Sequence, residues 1–350
     1  MSIALITGSC GLVGSESVSF FSKKGFDIIG IDNNARKFFF GKDGDVSWIK
    51  KKLKNNLNNY KHYDTDITNY KLLKKIFQRY KKKINVIIHA AAQPSHDWAK
   101  NEPFIDFEIN AKGTLNLLKL TKLNCPDAAF IFMSTNKVYG DNPNNLPLIE
   151  KKTRWEIKNN HKFKTGIDET ISIDKCTHSF FGTSKTYADL IVQEYGKNVG
   201  LKTACFRAGC ITGPNHSGAK LHGFLSYLVK TSLKNKKYNL IGYKGKQVRD
   251  NIHSSDLVNC FWEFFKKPRH GEVYNVGGGR YSNCSILEAL QIVEEISGIK
   301  IKKKYIKKNR IGDHIWYISN MKKFRKHYPK WKQKFSTYKI INELVSQFRD

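Results

Sequence analysis

Three glycines carry the first chemical signal in this chain. Gly8, Gly11 and Gly14 form G-x-x-G-x-x-G between the apolar run Ile3-Ala4-Leu5-Ile6 and a helix-compatible stretch over 15–24. Glycines at this spacing let the backbone turn tightly and let its N–H groups approach a pyrophosphate at a helix N-terminus. A second apolar run, Ile28-Ile29-Gly30-Ile31, ends at Asp32. A carboxylate there accepts hydrogen bonds from the adenosine ribose hydroxyls and repels a 2′-phosphate, so turn and acid together predict NAD rather than NADP. Arg36 and Lys37 follow and could soften that preference, or could simply be solvated. Within Arg36-Lys37-Phe38-Phe39-Phe40, basic residues beside aromatics are compatible with nucleic-acid stacking. The place straight after Asp32 favours a flap over the adenine end of NAD.

The elements that must hold these residues alternate. A helix over 69–80, a strand over 85–90, a helix over 110–123, a strand over 129–134, a helix over 182–198 and a strand over 203–207 follow one another. Strands this apolar between helices predict a parallel sheet covered on both faces, a doubly wound α/β sheet of the Rossmann type. Past residue 210 the rhythm loosens into a loop over 213–218, a helix over 221–235 and a short strand over 273–275. A helix over 286–297 follows, with Ser285 as its N-cap and Gly298 as its stop. The expected division is an NAD-binding domain of 1–212, with 241–262 returning to it. A smaller interleaved C-terminal substrate lobe then comprises 213–240 and 263–350.

Composition narrows the partners. The 350 residues hold 61 Lys+Arg against 30 Asp+Glu, a net charge of +31. The lysines are spread in short clusters such as Lys50-Lys51-Lys52 and Lys302-Lys303-Lys304, with no single basic arm. That pattern favours a solvated surface over a dedicated nucleic-acid face, while still attracting a small anion such as a nucleotide diphosphate. Seven dispersed cysteines without a C-x-x-C pair suggest neither a disulfide framework nor a metal site. The chain starts directly in a strand and has no apolar run of membrane-spanning length, so a cytoplasmic protein without membrane contact is expected.

The glycine spacing resembles the extended short-chain dehydrogenase/reductases, and the other landmarks of that superfamily follow in order. Asp66-Ile67 matches the pair beside the adenine, and His89-Ala90-Ala91-Ala92-Gln93 the turn after the fourth strand. Asn110-Ala111-x-Gly113-Thr114 matches the start of the central helix, and Met133-Ser134-Thr135-x-x-Val138-Tyr139-Gly140 the catalytic strand end. Lys185 matches the active-site lysine, and Arg249-Asp250 with His253 and Asp256 the signature of the substrate lobe. The chain is thereby similar to the NAD-dependent epimerase/dehydratase family. Asp32-Asn33-Asn34-x-Arg36-Lys37, Pro94-Ser95-His96-Asp97-Trp98, Gly245-Lys246-Gln247-Val248-Arg249-Asp250 and Gly312-Asp313-His314-Ile315-Trp316 resemble its CDP-paratose 2-epimerase subgroup. The resemblance implies a CDP-linked nucleotide sugar as substrate, epimerised at carbon 2, retained NAD and a homodimer or tetramer.

Site residues carried over by this resemblance are Gly8, Gly11, Gly14, Asp32, Asn33, Asp66, Ile67, Ala90, Ala91, Gln93, Asn110 and Lys185 for the cofactor. Thr135 would hydrogen-bond the reacting sugar hydroxyl, and Lys185 would put positive charge near the reacting oxygen. Arg249 and Arg310 would clamp the diphosphate. Asn215, His216, Leu221 and His222 would line the sugar–nucleotide pocket.

One position departs from the pattern. The superfamily has a tyrosine four residues before its lysine, because the ammonium lowers the phenol pKa enough for it to act as a base. Here the segment reads Phe181-Gly182-Thr183-Ser184-Lys185, and a phenyl ring exchanges no proton. If the helix starts near His178, then His178, Phe181 and Lys185 share one face at i, i+3 and i+7, making His178 a candidate base. Tyr187 lies about 120° around the helix from Phe181. His96 and Asp97 stand in the loop after the fourth strand, at the carboxyl end of the sheet, where they could contact the sugar. The sequence does not choose among them. It also leaves open another nucleotide-sugar epimerase or dehydratase, and a catalytically silent NAD- or RNA-binding protein.

Overall fold

The computed structural model describes residues 2–216, 223–309 and 312–349. Two compact units make it up. The first comprises Met1–Val138, Phe180–Arg207 and Val258–Tyr274, and the second Tyr139–Ser179, Ala208–Leu257 and Asn275–Asp350.

The first unit is built on a seven-stranded sheet. Its first five strands in the chain are β1 (Ile3–Thr7), β2 (Asp27–Ile31), β3 (Tyr60–Tyr63), β4 (Ile84–His89) and β5 (Ala129–Thr135). The spatial order is Glu272–Val276, Lys202–Ala208, β5, β4, β1, β2, β3, and the pairings among β1–β5 are parallel. Between them run α1 (Leu12–Lys23), α2 (Ala35–Phe40), α3 (Ser47–Asn56), α4 (Tyr70–Tyr80), α5 (His96–Asn101), α6 (Pro103–Phe107), α7 (Gly113–Asn124) and α8 (Ser179–Lys197). The doubly wound α/β sheet expected from the apolar alternation is therefore the observed one.

Local sequence explains most of these elements. Every residue of β1 is buried. Helix α4 is capped by the Asn69 side chain, which accepts from Leu72 N at 3.1 Å, and turns Leu73, Ile76 and Phe77 inward. These join Leu5, Ile87, Phe130, Leu117, Ala188 and Val192 in one core cluster. Elsewhere in this unit Phe206 packs on Phe261 and Phe264, and Phe21 on Trp262. Strand β3 escapes pattern reading because its sequence, Tyr-Lys-His-Tyr, is that of an edge strand with only β2 for a neighbour. Residues Glu108–Lys112 are π-helical and run without a break from α6 into α7, so the helix expected over 110–123 is present and begins earlier, at Pro103.

The second unit carries a four-stranded sheet in which Val248–His253 pairs with Asn283–Ser285, Trp316–Tyr317 and Cys210–Thr212. Helices Phe224–Leu233, Ile286–Ser297 and Thr337–Arg349 share its apolar cluster. Ser285 and Glu288 form a reciprocal capping box, and Gly298 closes that helix in the left-handed region at φ 70°. The division differs from the expected one. Residues 139–179, 208–212 and 241–257 belong to the second unit, and 263–274 to the first. Backbone pairing, not chain proximity, decides this. Trp155 N bonds Lys246 O at 2.9 Å, Ile167 bridges Ser319, and Glu272–Val276 takes the sheet edge beside Lys202–Ala208.

Candidate active site

The glycine turn has little steric freedom. Gly8 has φ +66°, and a Cβ there would come within 2.7 Å of Ala91 N. A Cβ at Gly14 would stand 1.9 Å from Gly8 O, whereas one at Gly11 would meet only Gly8 O, at 3.3 Å. The turn is thus packed from below and open at Gly11, which is also the N-cap of α1 and carries no side-chain cap. An uncapped helix N-terminus beside an open glycine is the cradle a pyrophosphate fits.

Asp32 ends β2 beside that turn. Its carboxylate accepts from Cys10 N at 2.9 Å and from Asn34 N at 2.8 Å. Burial raises its pKa, and the two backbone donors oppose the rise. Each oxygen keeps a lone pair for a ribose hydroxyl. A small cavity of about 80 Å³ opens beside it, lined by Cys10, Asn34, Ser47, Lys50 and His62. Asn33 donates to Asp66 Oδ2 at 2.7 Å, and Ile67 is buried below Gly113. The aromatic segment after Asp32 forms α2, where Phe39 packs on Trp98 at 4.7 Å and Arg36 lies over Phe40 at 5.0 Å.

The carboxyl end of β4 is locked by a buried chain of side chains. Thr114 Oγ1 donates to Asn110 O at 2.6 Å and so accepts from His89 Nε2 at 2.9 Å. His89 Nδ1 then accepts from Thr7 Oγ1 at 2.8 Å. Burial holds this imidazole well below its ordinary pKa, hence neutral. Ala91 N in turn donates to Thr7 Oγ1 at 3.2 Å, fixing Ala90 and Ala91 against Gly8. Gln93 N donates to Asn110 Oδ1 at 3.0 Å, and Gln93 Nε2 to Asp106 Oδ1 at 2.9 Å. Asn110 Nδ2 reaches Gln93 O, Asp106 Oδ1 and Ser184 Oγ at 3.0–3.1 Å.

Lys185 follows Ser184 on α8 and is fully buried. Its Nζ donates to Met133 O at 2.7 Å and lies 4.1 Å from the centre of the Phe132 ring. Burial lowers its pKa to about 8 against the pull of Asp189, Cys205 and Asp106. Asp189, one turn on, accepts from Ser134 Oγ at 2.5 Å and from Arg207 at 2.6 and 3.0 Å. Thr135 is half-buried at the end of β5, and its Oγ1 accepts from Lys137 N at 3.2 Å. Phe181 is buried in the first unit, and the His96 ring rests on it with centroids 4.7 Å apart and planes 60° apart. Asp189, Arg207, Asp106 and Ser184 were not singled out from sequence; only the i, i+4 spacing of Lys185 and Asp189 on one helix face could have flagged any of them.

The residues expected to hold the cofactor, Gly8, Gly11, Gly14, Asp32, Asn33, Asp66, Ile67, Ala90, Ala91, Gln93, Asn110 and Lys185, all lie in the first unit, with Thr135 and His96. His178, Asn215, His216 and Arg249 lie in the second. Leu221, His222 and Arg310 lie outside the described residues. The reading of His178 on a common helix face with Phe181 and Lys185 is corrected. Helix α8 begins at Ser179, which sits in the left-handed region at φ 66°, so His178 precedes the helix. Both ring nitrogens of His178 lie 3.7 Å from Cys176 Sγ. Asn215 and His216 follow Gly213 in a turn, and His216 is buried. Arg249 is mostly buried, donating from Nη2 to Asp313 Oδ1 at 2.5 Å and from Nη1 to Val248 O at 2.8 Å.

A family model described as the NAD dependent epimerase/dehydratase family matches residues 4–277. The chain belongs to this family. It is 30% identical over 305 residues to CDP-paratose 2-epimerase of Salmonella typhi, covering 85% of each chain. It is 27% identical to UDP-glucuronate 4-epimerase of Thermodesulfobacterium geofontis, over 87% of this chain and 84% of that one. Its fold is shared with a solved UDP-glucuronic acid 4-epimerase from Bacillus cereus in complex with UDP-glucuronic acid and NAD, at TM-score 0.79, 22% identity and 99% coverage of both chains. As a family member with the open glycine turn and free acceptor sites on Asp32, the chain has the residues an NAD molecule requires. No helix among the described residues is long and apolar enough to cross a membrane.

Proposed function

We propose that this protein is an NAD-dependent nucleotide-sugar epimerase acting on a CDP-6-deoxyhexose at carbon 2, converting CDP-paratose to CDP-tyvelose. The observation that carries the reading is the buried Lys185 ammonium, held on Met133 O beside the Thr135 strand end. Bound NAD supplies the hydride acceptor and donor, so a keto sugar can form, turn over and be reduced on its other face. Asp32 orients the adenosine ribose, and the α1 N-terminus holds the pyrophosphate. Lys185 holds the nicotinamide ribose and brings positive charge to the reacting oxygen; the Thr135 hydroxyl hydrogen-bonds that oxygen. Arg249 uses two of its N–H groups on Asp313 and Val248 and has three for the substrate diphosphate. The CDP-linked sugar rests on the 30% identity to the Salmonella typhi protein and on the segments quoted above.

The direct test follows purified protein with CDP-paratose by NMR for the appearance of CDP-tyvelose. Turnover that disappears in Lys185→Ala supports the reading. Absence of turnover with NAD still bound rejects the named substrate. Phe181 favours one second reading, a protein that binds NAD without turning over a sugar; loss of every epimerase activity with retained NAD would select it.

A further inference from the structure

We infer that the imidazole of His96 takes up and returns the sugar hydroxyl proton, in place of the phenol that Phe181 lacks. The inference rests on the enzymatic reading above and adds the missing proton acceptor to it.

The argument is one of placement. Phe181 lies four residues before Lys185 on α8, is buried, and exchanges no proton. The side chain lying against its ring is an imidazole, with centroids 4.7 Å apart. The loop that carries His96 is also tied to the helix that carries Lys185. His96 is the first residue of α5, whose N-cap Ser95 accepts from Trp98 N at 3.2 Å. Ser95 is tied to Gln93 in both directions, Gln93 to Asp106 and Asn110, and Asn110 to Ser184, the residue next to Lys185. One hydrogen-bonded chain therefore joins the loop that carries the imidazole to the helix that carries the ammonium.

Other groups of this unit are less suited. Asp106 is engaged by Gln93 and Asn110. Asp97 is exposed, and Tyr187 is 38% exposed and packs on Phe107 at 5.9 Å. Thr135 can pass a proton but its hydroxyl is too weak a base to hold one. Imidazole, with an unperturbed pKa of ~6.5, both takes and releases a proton near neutrality.

The step balances without an outside reagent. The sugar O–H proton goes to the imidazole nitrogen lone pair, and the O–H bonding pair becomes the second bond of the carbonyl. The C–H pair leaves with its hydrogen as hydride to bound NAD. On return the hydride adds to the opposite face, and the imidazolium gives its proton back to the oxygen. No net oxidation results.

The test compares wild type, His96→Gln, Phe181→Tyr and the double variant on CDP-, UDP-, dTDP- and GDP-linked sugars. NAD content and melting temperature are measured alongside to show that each variant folds. His96→Gln is expected to lower kcat by ~10²–10⁴-fold, the usual worth of a general base, with KM within about 3-fold. Adding Phe181→Tyr to it should restore turnover to within about 10-fold of wild type, because the phenol beside Lys185 replaces the imidazole. In the wild type, one imidazole ¹⁵N signal that is missing from His96→Gln should move when the nucleotide sugar is added. Turnover of His96→Gln within about 3-fold of wild type overturns the role. A loss that Phe181→Tyr does not rescue, or an unmoved imidazole signal, overturns it as well, leaving His96 a positioning residue. A wild type that turns over none of these sugars sinks the enzymatic reading and this role together; the other failures sink this role alone.

Discussion

At the scale of single residues, Lys185 sets function against stability. Its pKa of about 8 means that the folded protein holds a proton there less tightly than the unfolded chain, where lysine titrates near 10.4. Between those values the unfolded state binds more protons, so this residue's contribution to stability rises with pH from about 8 to 10.4. Below pH 8 the buried ammonium costs about 3 kcal/mol net of its bond to Met133 O. Lys185→Met should abolish turnover yet stabilise the fold by about 1–2 kcal/mol at pH 7, a gain that shrinks toward pH 10. Denaturant melts of both proteins across that range check it, and a variant less stable at pH 7 would contradict the sign. Asp32 was legible from its place at the end of the second apolar run, and Lys185 from the family resemblance of its segment. Asn110–Ser184 and Ser134–Asp189 were not, since their partners stand 74 and 55 residues apart and only the fold joins them.

Among the elements, the β1–turn–α1 unit is the least tolerant. Gly14→Ala places a methyl 1.9 Å from Gly8 O, inside backbone rather than against a side chain that could swing away. The turn must open, and NAD should be lost on gel filtration while the second unit keeps its own core. Ser285→Ala, by contrast, removes only one half of a capping box on Ile286–Ser297. It should cost about 1 kcal/mol in urea melts and leave NAD content unchanged. Helix Ile286–Ser297 was readable to the residue because both its ends are local signals. The start of α8 was not. The helix was expected from residue 182, with a start near His178 entertained only as a condition, whereas it begins at Ser179, in the left-handed region. Strand β3 was likewise hidden, because an edge strand has no need of an apolar pattern.

For the whole molecule, a net charge of +31 spread over the surface should act through long-range attraction of the doubly charged diphosphate. KM for a nucleotide sugar should then rise several-fold between about 20 and 300 mM salt with kcat unchanged, since the Debye length shortens over that range. A salt-independent KM would leave the charge to solubility alone. By itself the sequence determined the class of sheet, the glycine turn and the acid at the end of β2. These follow from hydrophobic period and from motifs a few residues long, which local geometry enforces. Only the tertiary structure decided that residues 139–179 join the second unit, that His178 stands off the helix and that His96 lies on Phe181. Those outcomes depend on which distant backbones pair and which side chains pack, and neither composition nor spacing encodes such contacts locally.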